Sequence, residues 1–211
     1  MTLQCRSRLA FDMSKRLFDA VVAALAFVLL LPVMAITAAL VYLNLGKPIL
    51  FKQERPGRGG QVFTLVKFRT MRPVDPGKGM ISSASRMTSF GAGLRSTSLD
   101  ELPTLINVIR GEMSLVGPRP LLVEYLPLYT SEQTRRHDVR PGITGLAQVN
   151  GRNNLDFERR FEYDVFYVQN RSWKLDISIL ARTVLKVLRR EDITTQGYAA
   201  GASFMGQAPS G

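Results

Sequence analysis

Two adjacent carboxylates, Asp100 and Glu101, stand in the run Ser98-Leu99-Asp100-Glu101-Leu102-Pro103, at the start of a helix expected from Ser98 or Asp100 to Ile109. Ser98 and Glu101 have capping-box spacing, which would put Pro103 inside the hydrogen-bonded ladder. With Asp100 as the N-cap, Pro103 falls in the first turn, where its missing donor costs little. Either way both acids sit at the positive end of a helix dipole, which favours their ionised forms. Taken alone, the pair reads equally as plain capping. Its surroundings argue for more. Arg95 stands just ahead of it. Gly117-Pro118-Arg119-Pro120 and Arg140-Pro141-Gly142-Ile143-Thr144-Gly145 place arginines on proline-stiffened turns, where less backbone freedom is lost when an anion is gripped. Lys67 and Arg69 alternate with apolar residues and share one face of a strand. Cations ringed about two acids suit nucleic acid badly, because the carboxylates would repel it. They suit a phosphate ester attacked by a carboxylate, with Asp as nucleophile. Mg2+ is the expected ion, since it is commonly held by one or two carboxylates plus substrate phosphates.

The elements that must position these residues are legible in outline. Residues 49–53 and 62–69 read as two strands around Arg55-Pro56-Gly57-Arg58-Gly59-Gly60, a hairpin signal. Residues 73–91, rich in Pro, Gly and Ser, read as a surface loop. A short apolar helix at 121–126 leads into a polar one ending near 137, and a turn-rich stretch covers 140–153. Phe157, Phe161, Val165 and Val168 recur at helical spacing. Ile177, Leu180, Ala181, Val184 and Leu188 form a second stripe, with Lys174, Arg182, Lys186 and Arg189 elsewhere on the wheel. Such a helix either lies on an anionic membrane surface or packs on the core with a solvated basic back. His137, in a charged run, reads as a surface residue. Trp173 suits a membrane interface and a packed core equally.

From Ala20 to Gly46 no residue is charged, a run long enough to cross a hydrocarbon core of ~30 Å as a helix. Arg6, Arg8, Lys15 and Arg16 precede it, and Lys47, Lys52, Arg55 and Arg58 follow. Positive flanks on both sides conflict with the asymmetry of a spanning helix. Pro32, near the middle, removes one backbone donor and should bend the helix. A hairpin that enters and leaves on one face satisfies both facts better than a proline-kinked span. The chain of 211 residues carries 28 Lys and Arg against 17 Asp and Glu, a net charge of +11 that draws polyanions such as lipid headgroups or a phosphorylated substrate. One Cys and one His exclude an intrachain disulfide and argue against a zinc site.

These residues, in order, resemble the bacterial sugar transferases. The resemblance rests on Lys15-Arg16-Leu17-Phe18-Asp19 before the Pro-bent run, Lys67-Phe68-Arg69-Thr70-Met71, Ser98 to Pro103, Asn107 through Pro120, and Arg140 to Gly145. It covers about residues 14–190, and Leu121 through Asn153 is most similar to the small, monotopic, PglC-like phosphoglycosyl transferases. It implies an α+β, mostly helical protein. An N-terminal extension (1–13) leads to a re-entrant helix-break-helix (14–46) bent at Pro32. A cytoplasmic catalytic domain (47–193), with a small β-hairpin and amphipathic interfacial helices, precedes a flexible tail (194–211). It further implies transfer of a sugar-1-phosphate from a UDP-sugar, an N-acetylated amino sugar by the PglC-like stretch, to undecaprenyl phosphate at the bacterial inner membrane, with release of UMP. Asp100 would be the nucleophile and a Mg2+ ligand, with Glu101 its partner. Lys67, Arg95, Arg119, Arg140 and Arg152 would contact phosphate or nucleotide. In the small members a Ser precedes the bending proline, whereas here the residue is Leu31. The competing reading is a non-catalytic, membrane-tethered basic adaptor that binds anionic lipid or nucleic acid, with the acidic pair a mere cap.

Overall fold

The computed structural model describes residues 3–151 and 155–189, together with Phe204. Helix α1, Leu3–Leu45, contains the whole apolar run. The strands β1, Leu50–Pro56, and β2, Val62–Phe68, pair antiparallel from Leu50 opposite Phe68 to Pro56 opposite Val62, so the hairpin read around Arg55 to Gly60 is present. Two short helices follow, α2 (Ser83–Arg86) and α3 (Ser89–Ser96), then a 3-10 turn at Leu99–Thr104 that runs directly into α4 (Leu105–Arg110). Strand β3, Ser114–Val116, lies parallel to β4, Gly142–Thr144; between them come a 3-10 segment Val123–Leu128, α5 (Ser131–Thr134) and a 3-10 turn Arg135–His137. Helices α6 (Leu146–Asn150), α7 (Phe157–Asn170) and α8 (Trp173–Arg189) complete the described chain.

Several elements differ from the sequence reading. Helices α2 and α3 occupy part of the expected loop 73–91, each started by a hydroxyl cap: Ser82 Oγ accepts from Ser85 N–H, and Thr88 Oγ1 from Gly91 N–H. Neither proposed N-cap holds before the acids. Ser98 stands at that position with φ 57°, a left-handed conformation, and makes no side-chain cap. A non-glycine residue there stores of order 1–2 kcal/mol, and it directly precedes the carboxylate pair. His137 is buried rather than exposed, with its Nδ1 3.2 Å from the Gly57 carbonyl oxygen. Burial, and then the neighbouring Arg136 charge, push its pKa down to about 4, so it is neutral and packed.

Helix α1 begins well before residue 14 and runs unbroken through Pro32, so the expected break is absent from the helical backbone. Packing on either side of the proline accounts for this. Ala23, Val22, Ala26, Phe27 and Leu30 join the main core with Leu105, Val108, Met113 and Leu115. Met34, Ala38, Val41 and Leu45 pack with Phe68, Leu94, Leu99 and Leu102. Polar ties fix both ends of the same segment. Near its start, Lys15 Nζ lies 2.7 Å from Asp176, Ser114 donates to Asp19 (2.6 Å), and Arg171 grips Asp12 with two hydrogen bonds of 2.9 and 3.0 Å. At its end, Arg69 donates to the carbonyl oxygens of Leu45 and Gly46. Thus Arg69 caps α1 rather than facing the acids.

The outer face of α1 is bare. Leu25, Val28, Leu29, Ile36 and Leu43 are all exposed, an apolar surface that water would not tolerate at this extent. Residues Arg8–Leu45 form a helix apolar and long enough to cross a membrane. Helix α8 is apolar on two sides, and Leu180 of its stripe packs on the core. Asp176 and Ile179 face the core, whereas Ile177, Val184 and Leu188, three members of the apolar stripe, point outward. Trp173 sits edge-on to Phe11 and Phe18, at ring distances of 5.6 and 5.1 Å, joining α8 to the start of α1.

Candidate active site

The site is assembled on the free edge of β2. Asn107, wholly buried on α4, accepts from Val66 N–H through Oδ1 (3.2 Å) and donates through Nδ2 to the Thr64 carbonyl oxygen (2.8 Å). Thr104 Oγ1 donates to the Val66 carbonyl oxygen (3.0 Å). These side chains do what a third strand would do, satisfying backbone groups that burial would otherwise orphan. Leaving one such group unpaired costs about 1–3 kcal/mol. The consequence is geometric. With the 99–110 segment stitched to β2, Lys67 reaches across and places Nζ 2.5 Å from Glu101 Oε1. Arg119 NH2 meets the same oxygen at 2.8 Å.

The far end of that segment is also held by charge. Arg16 donates to the Val108 and Ile109 carbonyl oxygens (2.6 and 2.8 Å), and Arg140 Nε donates to Gly111 O (2.8 Å). Cations at the C-terminal carbonyls of α4 complement its dipole. The structure thus sets Arg140 apart from the acidic pair. The charges that bear on it are Arg16, Arg58, Asp19 and Asp12, and it belongs to the α1 junction rather than to the acidic pair. Its turn still serves the site. Gly117 N–H donates to Thr144 O (2.9 Å) and Gly142 N–H to Pro118 O (3.0 Å). A Cβ on Gly142 would fall 2.1 Å from Gly117 N, so the two Pro-Gly turns lie backbone on backbone and fix the root of Arg119.

Arg95 arrives by a similar close contact. On α3, a Cβ at Gly91 would lie 1.8 Å from the Thr70 carbonyl oxygen, so only glycine lets α3 press against the end of β2. One turn on, Arg95 Nε donates to Thr70 Oγ1 (2.9 Å). Its charge acts on Asp100, as do those of Lys67 and Arg119. Arg152 lies outside the described residues. Arg55 was not singled out as a site residue from sequence, yet it is half-buried beside Arg119 and Tyr125, with NH1 3.4 Å from Pro120 O. Burial and then Arg119 push its pKa down to about 10. No local signal marks Arg55, because its contact is with a turn 65 residues away.

The two acids have opposite electrostatics. Asp100 is 8 % exposed, and burial followed by the Glu101 charge pushes its pKa up to about 6, against the opposing pull of Lys67, Arg95 and Arg119. Burial also acts to raise Glu101, but Arg119 and Lys67 outweigh it and hold this carboxyl well below the usual range. Glu101 is therefore a permanent anion committed to two cations, and a poor proton carrier. Lys67 and Arg119 both bond Glu101, while the charges of Lys67, Arg95 and Arg119 all bear on the buried Asp100 carboxyl. Among the described residues, no group of three His, Cys, Asp or Glu side chains could hold a metal ion by itself. A single buried carboxylate beside cations fits an ion shared with substrate phosphates.

The raised Asp100 carboxyl has a consequence for stability. Between about pH 4 and pH 6 the folded protein holds a proton there that the unfolded chain releases, so this group lowers stability as the pH rises through that window. Asp100→Asn should accordingly stabilise the protein at pH 7 by ~1–3 kcal/mol, with the gain vanishing below about pH 4. Denaturant titrations of both proteins at several pH values measure this; an Asn variant less stable at neutral pH would refute it.

Residues 10–190 match the model of the bacterial sugar transferase family. The chain is 49% identical over 193 residues to an uncharacterized sugar transferase, EpsL, of Bacillus subtilis, covering 91% of this chain and 96% of the relative. It is 39% identical over 196 residues to the UDP-glucose:undecaprenyl-phosphate glucose-1-phosphate transferase of Caulobacter vibrioides, covering 88% of this chain and 73% of that one. The protein of the same name from Klebsiella pneumoniae is 41% identical over 183 residues; there the match covers 82% of this chain but only 39% of the relative. A match spanning the apolar helix, the carboxylate pair and the proline turns leaves no room for a non-catalytic adaptor: the chain belongs to the bacterial sugar transferase family and is a sugar-phosphate transferase.

Proposed function

We propose that this enzyme transfers a sugar-1-phosphate from a UDP-sugar to undecaprenyl phosphate, releasing UMP, in two steps through Asp100. The observation that carries the reading is the asymmetry of the acidic pair. Asp100 is buried within the field of three cations with its carboxyl pushed up, whereas Glu101 is held low by bonding two of those cations. An Asp100 oxygen attacks the β-phosphorus, a new P–O bond forms, and the bond from that phosphorus to the bridging oxygen breaks. UMP departs with the bridging oxygen, and the sugar phosphate stays on Asp100 as an acyl phosphate. A phosphate oxygen of the lipid then attacks the same phosphorus and frees the Asp100 carboxylate. Lys67, Arg95 and Arg119 stabilise the charge on the phosphoryl oxygens during both displacements, and Glu101 keeps two of these cations in place. Mg2+ would be held by Asp100 together with the substrate phosphates and would offset the repulsion between anionic nucleophile and diphosphate.

Relatives are named for glucose-1-phosphate transfer from UDP-glucose to undecaprenyl phosphate and for UDP-galactose-lipid carrier transfer. That favours a plain hexose, glucose or galactose, as a second reading of the sugar, beside the N-acetylated amino sugar implied by the PglC-like stretch. Both are resolved by one assay. Protein held in nanodiscs with Mg2+ and undecaprenyl phosphate should release UMP with a single member of a UDP-sugar panel. Asp100→Asn should lose at least ~1,000-fold of that rate while remaining folded. Silence with every sugar, or full activity in the Asn variant, would overturn the reading.

We further propose a monotopic arrangement with the catalytic head on the cytoplasmic face. The head packs against α1 both before and after Pro32, from Lys15 to Leu45. A helix of 43 residues is roughly 65 Å long at 1.5 Å per residue. Setting it upright across the bilayer would drag the charged carboxylate cluster into hydrocarbon, at a cost of several kcal/mol per uncompensated ion. A helix laid in one leaflet with its bare face to lipid avoids this. In Cys5→Ser protein, single cysteines placed at Arg8 and Lys47 should both react with an impermeant maleimide from the cytoplasmic side of sealed vesicles. Protection of one of them would instead establish a span.

A further inference from the structure

Beyond the acidic pair, a cluster of aromatic rings encloses one residue from the far C-terminal end of the chain. Phe204, 8 % exposed, lies 5.1 Å from the Phe161 ring, 5.3 Å from Phe157, 5.6 Å from Tyr125 and 5.7 Å from Tyr129, stacked on the last. The sequence reading assigned residues 194–211 to a flexible tail; Phe204 departs from it, and the rest of that tail lies outside the described residues. A buried ring with four ring neighbours is a packed core, and such contacts favour the edge-on and offset geometries seen here.

This core is one step removed from Arg119. Two of its rings carry the Arg136 guanidinium, 5.7 Å from the Tyr129 centroid and 5.5 Å from that of Phe161. Arg136 is itself buried and paired with Asp164 (2.7 Å), and it donates to Tyr129 Oη (3.2 Å). Its NH2 also donates to the Arg119 carbonyl oxygen at 2.7 Å. The Arg119 side chain, 37 % exposed, then reaches Glu101. Where its guanidinium lands is set in part by the backbone it springs from, and that backbone is what Arg136 holds.

We infer that Phe204 is a positioning residue for the transfer: by filling the ring cluster it fixes Tyr129, Phe161 and Arg136, and through Arg136 the backbone of Arg119. The role of Arg119 in turnover rests on the transferase reading above; the packing relay from Phe204 to the Arg119 backbone does not. Removing the ring opens a void between Tyr129 and Phe161, which can then rotate, and the guanidinium lying on both faces loses its fixed seat. Phe204→Leu keeps most of the apolar volume and should keep most of the restraint.

Two readouts on the full-length, nanodisc-held protein separate this from simple stabilisation. In the first, initial rates of UMP release are compared for wild type, Phe204→Ala, Phe204→Leu, Arg119→Ala and the Arg119→Ala/Phe204→Ala double variant. Phe204→Ala should lower kcat/KM about tenfold well below its unfolding temperature, and Phe204→Leu by less than about threefold. On the Arg119→Ala background, the same Phe204→Ala change should cost less than about twofold, because the group it positions is gone. Equal losses on both backgrounds, or a Phe204→Ala rate within about twofold of wild type, would overturn the inference. The second readout is amide hydrogen exchange, which needs no turnover. Exchange across residues 117–137 should quicken in Phe204→Ala, or in Phe204→Leu to a lesser degree should the Ala variant fail to fold. Unchanged exchange there would overturn the inference even with an inactive enzyme, whereas absent UMP release with quickened exchange would fault only the transferase reading.

Discussion

A two-stranded hairpin has an open edge, and here that edge is closed by the side chains of Asn107 and Thr104 instead of a third strand. The amide of Asn107 supplies one acceptor and one donor in the register β2 presents, and it is wholly buried in doing so. Its Nδ2 also donates to Glu112 (2.7 Å), which orients the amide and fixes which atom faces which backbone group. From this pairing follow the approach of Lys67 to Glu101, the burial of Asp100, and the seating of α4 against α1. Lys67 and the acidic pair thus sit on segments tied together by buried hydrogen bonds, the preorganisation that charge stabilisation in a transition state would require.

Charge is arranged in two tiers about this frame. Near the acids, Lys67 and Arg119 converge on Glu101, and with Arg95 they temper the rise that burial imposes on Asp100. Farther out, Arg16 and Arg140 grip the carbonyl end of α4, Arg69 that of α1, and Arg136 the backbone of Arg119. A share of the net charge of +11 is therefore structural, spent on helix ends and carbonyl oxygens. This explains why the proline-stiffened arginines diverge in role. Arg119 faces the acids, whereas Arg140 turns to Gly111, although their sequence settings look alike.

What could be read from sequence was whatever carries its signal locally. The Pro-Gly cluster at Arg55 to Gly60 marked the hairpin, helical spacing at Phe157 and Ile177 marked α7 and α8, and the charge-free run marked α1. The carboxylate pair and its cations stood out by residue type. Contacts made across long separations did not. The parallel pairing of Ser114–Val116 with Gly142–Thr144 involves strands too short to show a period. Arg55 meets Pro120, Arg140 meets Gly111, and Phe204, in a run of Gly, Ala and Ser, finds its cage only in three dimensions. At Pro32 the helical backbone continues where a break was expected, with the head packed against α1 on both sides of it.

The same bracing ties chemistry to membrane. The core that holds Asn107 and Val108 is shared with Ala23 and Phe27, so the bare lipid-facing surface of α1 and the outward stripe of α8 lie at fixed positions relative to the carboxylates. A soluble nucleotide donor and a lipid acceptor can then meet at one phosphorus, provided that Asp100 carries the sugar phosphate between them. The most direct measurement is intact-protein and peptide mass spectrometry after brief incubation with the active UDP-sugar in the absence of lipid phosphate. The account predicts one added sugar phosphate per chain, confined to the peptide containing Asp100, absent in Asp100→Asn and discharged on adding undecaprenyl phosphate. Turnover with lipid but no such adduct under acid quench, or an adduct on another residue, would contradict it.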